Sequence, residues 1–359
     1  MQAALSSAIE RVRAAAAEGT PLRLRGGGSK DFLAERLRGE LLDTRGLAGI
    51  RAYEPSELVV TVGAGTSLAQ LETTLAGRGQ CLPFEPPRFG GEPTVGGMVA
   101  AGLAGPARAS VGSVRDYVLG LSLVNGRGEL LTFGGQVMKN VAGYDVSRLM
   151  AGAFGTLGLI VEVSLKVLAR APAEATLAFE LPQQQALDRL NAWGGQPLPL
   201  NASRWSDGVL HLRLRGAVAA VEAACARLGG ERLDAQAAER DWTACRDQAS
   251  PWFASRARRD LWRLSVPQTA PVLPLPEAPL VEWHGGQRWI AAEGSDAALV
   301  RRIAEDAGGH ATLFRTASPE PGVARFHPLR PPLDRIHRDL KREFDPAGIF
   351  NPGRLFADF

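Results

Sequence analysis

The sequence predicts an α+β chain of two domains, on three observations. Its 359 residues exceed what one ordinary hydrophobic core fills. The first half alternates short strands and helices around glycine-rich turns. Near Ala171–Pro172 the pattern changes to a β-α-β-α order that reads as a small split sandwich. These place a first domain over residues 1–171 and a second over 172–359.

The element assignments follow from periodicity. Leu5, Ile9, Val12 and Ala16 fall at helical spacing within Met1–Gly19, and Glu10, Arg11 and Arg13 interrupt it, which excludes a signal peptide. Leu22–Arg25 is a strand running into Gly26-Gly27-Gly28-Ser29. Leu58–Val62 is a continuous apolar run, as in a buried strand. Ser67–Gly77 is helical, with Leu68, Leu71 and Leu75 on one face. Tyr117–Val124 and Leu130–Phe133 form a hairpin around Asn125–Gly126, and Leu159–Leu168 is another strand. In the second domain, Ala175–Leu181 and Val209–Arg215 are strands, and Gln183–Trp193 and Val218–Leu228 are helices. Alternation of Leu210, Leu212 and Leu214 with His211, Arg213 and Arg215 predicts one wet face. Pro267–Pro279 reads as a surface loop. Two shorter strands and the helix Asp296–Ala307 follow. Leu333, Ile336, Leu340 and Phe344 mark a last helix between Pro331–Pro332 and Asp345–Pro346.

Composition excludes several classes of function. Lys and Arg total 41 against 38 acids, too even a balance for a nucleic-acid or anionic-membrane binder. The cysteines are Cys81, Cys225 and Cys245, without a CxxC pair, which argues against disulfide, zinc or iron–sulfur frameworks and for a reducing, cytoplasmic setting. No apolar window is long enough to span a membrane. None of the five histidines forms an HxH or HxxxH pair, so no metal site is expected.

Three segments are suited to a large ligand. Arg25-Gly26-Gly27-Gly28-Ser29 follows a strand, and its consecutive N–H groups suit a pyrophosphate; a plain tight turn is the alternative. Pro93-Thr94-Val95-Gly96-Gly97, continuing to Gly102 and Gly105, offers backbone without side chains, suited to a bulky ligand or to close backbone packing. Lys139–Asp145 and Gly152–Gly158 are glycine-spaced loops before a strand. Gly63-Ala64-Gly65 imitates a dinucleotide fingerprint, but Leu68 stands where its third glycine belongs. No GxxxxGK[ST] phosphate loop is present.

In this order, RGGGS, PTVGGMVAAGLAG, SVRDYVLGLSLVNGRGELLTFGG and KNVAGYDVSRLMAGAFGTLGLIVEVSL resemble the FAD-binding domain of the vanillyl-alcohol-oxidase family. The tail FHPLRPPLDRIHRDLKREFDPAGIFNPGRL resembles that family's C-terminal end. KNVAGYD together with GGHATLFR at Gly308–Arg315 resembles the FAD-binding subunits of bacterial glycolate oxidases. The resemblance implies a two-subdomain PCMH-type FAD-binding domain and a ferredoxin-like α/β cap domain of FAD-linked oxidases, with 331–359 returning toward the flavin. It implies that Arg25, Gly26, Gly27, Gly28 and Ser29 hold the pyrophosphate. Thr94, Val95, Gly96 and Gly97 run along the pyrophosphate and ribityl chain, and Gly102 and Gly105 pass near the flavin. Asp116, Asn140, Gly143 and Tyr144 contact the cofactor or brace its loops, Ile160 lies by the adenine, and Asn351 approaches the flavin ring. The first glycine loop has none of the histidines that carry covalent flavin in some relatives, so FAD is expected to be non-covalent.

The activity implied is oxidation of glycolate to glyoxylate within a complex. The partners would be a catalytic flavoprotein subunit and an iron–sulfur subunit, with peripheral placement at the inner face of the membrane through that complex. The alternatives are a stand-alone FAD-dependent 2-hydroxy-acid dehydrogenase of the D-lactate type and a non-catalytic assembly subunit. The chemistry needs a carboxylate anchor and a base, for which the candidates are Arg315 and His327.

Overall fold

The computed structural model describes residues 1–135, 144–292, 296–318 and 322–357. It divides into two compact units, one of residues 1–103, 113–169 and 328–359, the other of residues 104–112 and 170–327.

The first unit is built on a five-stranded antiparallel sheet in the order Ile50–Glu54, Val59–Gly63, Leu159–Lys166, Val118–Val124, Leu130–Gly134. Val59–Gly63 is buried at every residue, as its apolar and β-branched residues predict, and the hydroxyl of its Thr61 bonds that of Ser164 at 2.8 Å. The N-terminal helix Gln2–Glu18 buries Leu5, Ala8, Val12 and Ala15. They pack with Leu22, Val124, Leu159, Ile349 and Phe350 in one core, where each fully buried side chain contributes about 1.5–3 kcal/mol. Leu22–Arg25 pairs in parallel with Glu40–Asp43, and on its other side Leu22 bridges Phe350 in parallel. The C-terminal tail is thereby stitched onto the strand that feeds the first glycine loop.

The hairpin differs from its expected form. Asn125 Oδ1 accepts from the N–H groups of Arg127 (2.9 Å) and Glu129 (3.0 Å), and the left-handed residue is Gly128 rather than Gly126. The asparagine side chain therefore nucleates a longer loop than the Asn–Gly pair alone would make.

The second unit holds an eight-stranded antiparallel sheet made of two related halves. Its first half runs strand Ala173–Glu180, helix Gln183–Gly194, strands Leu200–Ser206 and Val209–Gly216, helix Val218–Leu228, strand Glu231–Arg232. The spatial order is fourth, first, third, second, the ferredoxin-like arrangement. The second half, Asp260–Ser265, Leu280–Glu282, Gln287–Ala292, helix Ala297–Asp306 and His310–Arg315, repeats that order in reverse. The halves join where Arg204 and Trp205 pair with Glu282 and Val281. No repeat is visible in the sequence, and the mixed strand Leu200–Ser206 escapes its periodicity.

Where the first half has its first helix, the second has the proline-rich loop. Ala270 and Leu273 of that loop are buried against Trp262, Leu264 and Ile290, so it serves as a core wall and not only as surface. The fully buried Arg288 donates to the carbonyls of Ala270 and Gly285. The expected wet face of Val209–Gly216 is also corrected. Arg213 is buried, donates to Asn201 Oδ1 at 2.7 Å and stacks on Trp242 of helix Ala235–Arg246, an element the sequence pattern did not reveal.

Candidate cofactor site

The first unit gathers its glycine loops around one cavity. Its lining includes Leu24, Arg25, Gly26, Gly27, Gly28, Ser29, Lys30, Asp31, Pro93, Thr94, Gly97, Ala100, Ala101, Phe154, Asn351 and Arg354. Thr94 caps the helix Val95–Ala101, its Oγ1 accepting from Gly97 N at 3.2 Å. A Cβ on Gly26 would collide with the Thr94 side chain, and one on Gly27 would collide with the Glu92 carbonyl. Gly28 has φ 70°, a left-handed conformation that favours glycine. The loop is therefore glycine because its backbone lies flat on the neighbouring segment while lining the cavity.

Cations surround this edge. Arg25 Nε donates to Asp31 Oδ2 at 2.6 Å, and Lys30 Nζ donates to Ser29 Oγ at 2.9 Å. Arg354 donates to the Lys30 carbonyl at 2.8 Å, and its buried Nε has no hydrogen-bond partner among the described residues. Burial, opposed by Asp31, lowers the Arg354 pKa to about 10. A buried, incompletely satisfied guanidinium beside bare backbone is a suitable site for a diphosphate, so the residues present fit FAD.

Asn351 shapes the cavity from behind. Its Oδ1 accepts from Leu24 N at 2.8 Å and its Nδ2 donates to the Phe154 carbonyl at 2.7 Å. The amide is thus committed to joining two walls. Below it, Lys341 is buried and donates to Asp345 (2.7 Å), the Thr156 carbonyl and the Phe350 carbonyl (both 2.8 Å). Asp345 also accepts from Ile349 and Phe350 N–H groups. This satisfied ion pair fastens the tail that carries Asn351 and Arg354.

Of the sequence candidates, Arg25, Gly26, Gly27, Gly28, Ser29, Thr94, Gly97 and Asn351 line the cavity. Val95 is in the helix core and Gly96 packs on Ala64. Gly102 abuts the backbone of Gly152, and the Gly105 carbonyl accepts from Trp283 Nε1 in the second unit. Asp116 accepts from Ser113 N–H and O–H; burial works upward on its carboxyl, but these bonds outweigh it and leave the pKa lowered. Asp116 thus braces a loop. Ile160 is buried in its strand and Tyr144 is fully exposed. Asn140 and Gly143 lie outside the described residues. Sequence reasoning missed Lys30, Asp31, Phe154 and Arg354, although Arg354 closes the very NPGR string that contains Asn351.

The catalytic candidates lie in the second unit. His327 Nδ1 accepts from Ala311 N (3.3 Å) and its Nε2 pairs with Glu305 (2.9 Å), so both ring nitrogens are engaged. Arg315 ends its strand half-buried, and burial lowers its pKa. No cluster of three metal-ligating side chains occurs among the described residues.

A glycine cradle fitted to FAD in one unit, in a chain whose other unit is built on an antiparallel sheet, defines an FAD-linked oxidoreductase. Residues 5–134 match the FAD binding domain family. The chain is 45% identical over 350 residues to the glycolate oxidase subunit GlcE of Escherichia coli (strain K12), covering 98% of this chain and 97% of that protein. It is 31% identical over 168 residues to the D-lactate dehydrogenase of Archaeoglobus fulgidus, covering 46% of this chain and 37% of that one. Alkyldihydroxyacetonephosphate synthase shares the fold, with a TM-score of 0.65 and 16% identity over 96% of this chain and 73% of that one. The chain belongs to the GlcE family of glycolate oxidase subunits. No helix among the described residues is long and apolar enough to cross a membrane.

Proposed function

We propose that this chain is the FAD-binding subunit of a complex that oxidises glycolate to glyoxylate, its flavin taking electrons from a catalytic flavoprotein subunit and passing them to an iron–sulfur subunit. The near full-length identity to GlcE carries the reading, and the cavity supports its cofactor. In it, Gly26, Gly27, Gly28 and Ser29 hold the diphosphate of a non-covalent FAD, with Arg25, Lys30 and Arg354 balancing its charge. Bound FAD would supply the hydride-accepting and electron-carrying chemistry. Thr94 and Gly97 form the facing wall, and Asn351 fixes the distance between walls. The residues 1–171 act as the FAD domain and 172–359 as the cap, apart from the returning tail. Arg315 and His327 remain the first-choice anchor and base from sequence. The Glu305 pairing of His327 favours a structural role for it.

The reading predicts yellow protein whose flavin stays oxidised with glycolate alone under anaerobic conditions and is reduced when the partner subunits are added. Bleaching by glycolate alone would favour a stand-alone 2-hydroxy-acid dehydrogenase. Protein that never takes up FAD would leave only an assembly role.

A further inference from the structure

The sheet of the second unit packs one face into an apolar core and carries Arg263 on the other. Trp262 and Leu264 enter the core under helix Ala297–Asp306, so Arg263 between them points to the opposite face. Arg263 pairs with Trp289 on one side and Thr312 on the other. Ser265 pairs with His310 across the same strands, which places His310 on the Arg263 face. The Arg263 guanidinium lies 5.4 Å from the Phe314 ring centre and makes no hydrogen bond or ion pair among the described residues.

Arg108 approaches from residues 104–112 of the same unit. It stacks on Trp283 at 4.5 Å, and Trp283 Nε1 donates to the Gly105 carbonyl at 3.0 Å. Trp283 and His284 hold left-handed φ values of 53° and 54°, a costly conformation for aromatic residues. Ser203 Oγ accepts from His284 N at 2.9 Å, and Ser110 Oγ bonds His284 Nε2 at 2.9 Å. The local strain is thus spent on fastening the Arg108 segment to the sheet.

Burial, then the Arg108 charge, bring Arg263 to about 10. His310 is lowered by burial and then by Arg263, His327 and Arg108. Among the described residues, no carboxylate is among the influences on either group. Arg263 is half-buried, so its guanidinium is open to an incoming anion, and a nearby second guanidinium adds positive charge that suits a carboxylate.

We propose that the second unit carries a binding site for a small carboxylate anion, formed by Arg263, Arg108 and His310, in which side chains and no divalent cation supply the positive charge. The anion site follows from these residues alone; the choice of a carboxylate over other small anions rests on the glycolate reading above.

The test is isothermal titration of the full-length, FAD-loaded protein with oxalate, which has no C–H hydride to lose, in buffer containing EDTA. Saturable one-to-one binding is expected. Arg263→Gln should weaken it at least tenfold, Arg108→Gln several-fold, and Arg263→Lys should be weakened less than Arg263→Gln. Arg108 is exposed, so its variant reports even where the strand variant fails to fold. Absence of saturable binding overturns the proposal, as do unchanged affinity in both glutamine variants, binding abolished by EDTA, or inorganic phosphate binding as tightly as oxalate. Retained flavin absorbance without oxalate binding would count against this site alone. Oxalate binding by protein that never takes up FAD would count against the cofactor reading alone.

Discussion

Two recessed cations, one in each unit, have opposite surroundings. Lys341 in the first unit has three oxygen acceptors for its three donors. Arg263 in the second unit stacks on a ring and is influenced only by burial and a like charge. The first arrangement is complete without a ligand and reads as scaffold. The second is incomplete, and an incomplete polar site in a folded protein is where a ligand is expected. The same contrast appears within the cofactor cavity, where both ends of the Asn351 amide are engaged, by Leu24 and Phe154, while the Arg354 Nε has no hydrogen-bond partner among the described residues.

Four substitutions sharpen or break this comparison. Lys341→Met leaves Asp345 buried without its cation and should cost about 3–5 kcal/mol, read as a fall in the urea midpoint; wild-type stability would remove the scaffold reading. The second concerns His284, which burial holds at about 4 instead of 6.5. Its folded pKa is depressed, so between those values the unfolded chain binds the proton and the folded chain does not. Stability should therefore fall as pH drops from 6.5 to 4, by about 3 kcal/mol in all. His284→Gln should flatten that share of the pH profile, and a profile parallel to wild type would contradict the burial. Third, Gly27→Ala drives a Cβ into the Glu92 carbonyl; it should cost about 1–3 kcal/mol and release flavin, measured by absorbance after gel filtration. Arg263→Gln has the smallest expected effect on folding, within about 1 kcal/mol of wild type in either direction, because it removes an uncompensated charge. A loss as large as that of Lys341→Met would show Arg263 to be scaffold too.

Much of the first unit was readable because its signals are local. Buried strands appear as short, mainly apolar and β-branched segments at Val59–Gly63 and Leu159–Lys166, and the glycine loop announces itself by composition. The cavity's cations were not readable. Lys30 and Arg354 are more than 300 positions apart in sequence, and the pairing of Leu22 with Phe350 and the backbone bonds of residues 35 and 36 to the tail bring them together. In the second unit, Leu200–Ser206 reads as polar because its Asn201, Ser203 and Arg204 are buried in a hydrogen-bonded layer. The paired halves of that sheet are related by backbone order, which periodicity does not report. The last helix reverses the usual pattern: Leu333 and Ile336 are exposed while Lys341 is buried, so apolar spacing located the helix but not the residue that fastens it.

The central claim is that the glycine cradle of this chain holds FAD without a covalent bond. Its most direct test is the visible absorption of the protein purified alone and supplied with FAD, followed by acid precipitation. The account predicts yellow protein, flavin recovered entirely in the acid supernatant, and colourless protein for Gly27→Ala. Wild-type protein that stays colourless after added FAD, or flavin that remains in the precipitate, would contradict it.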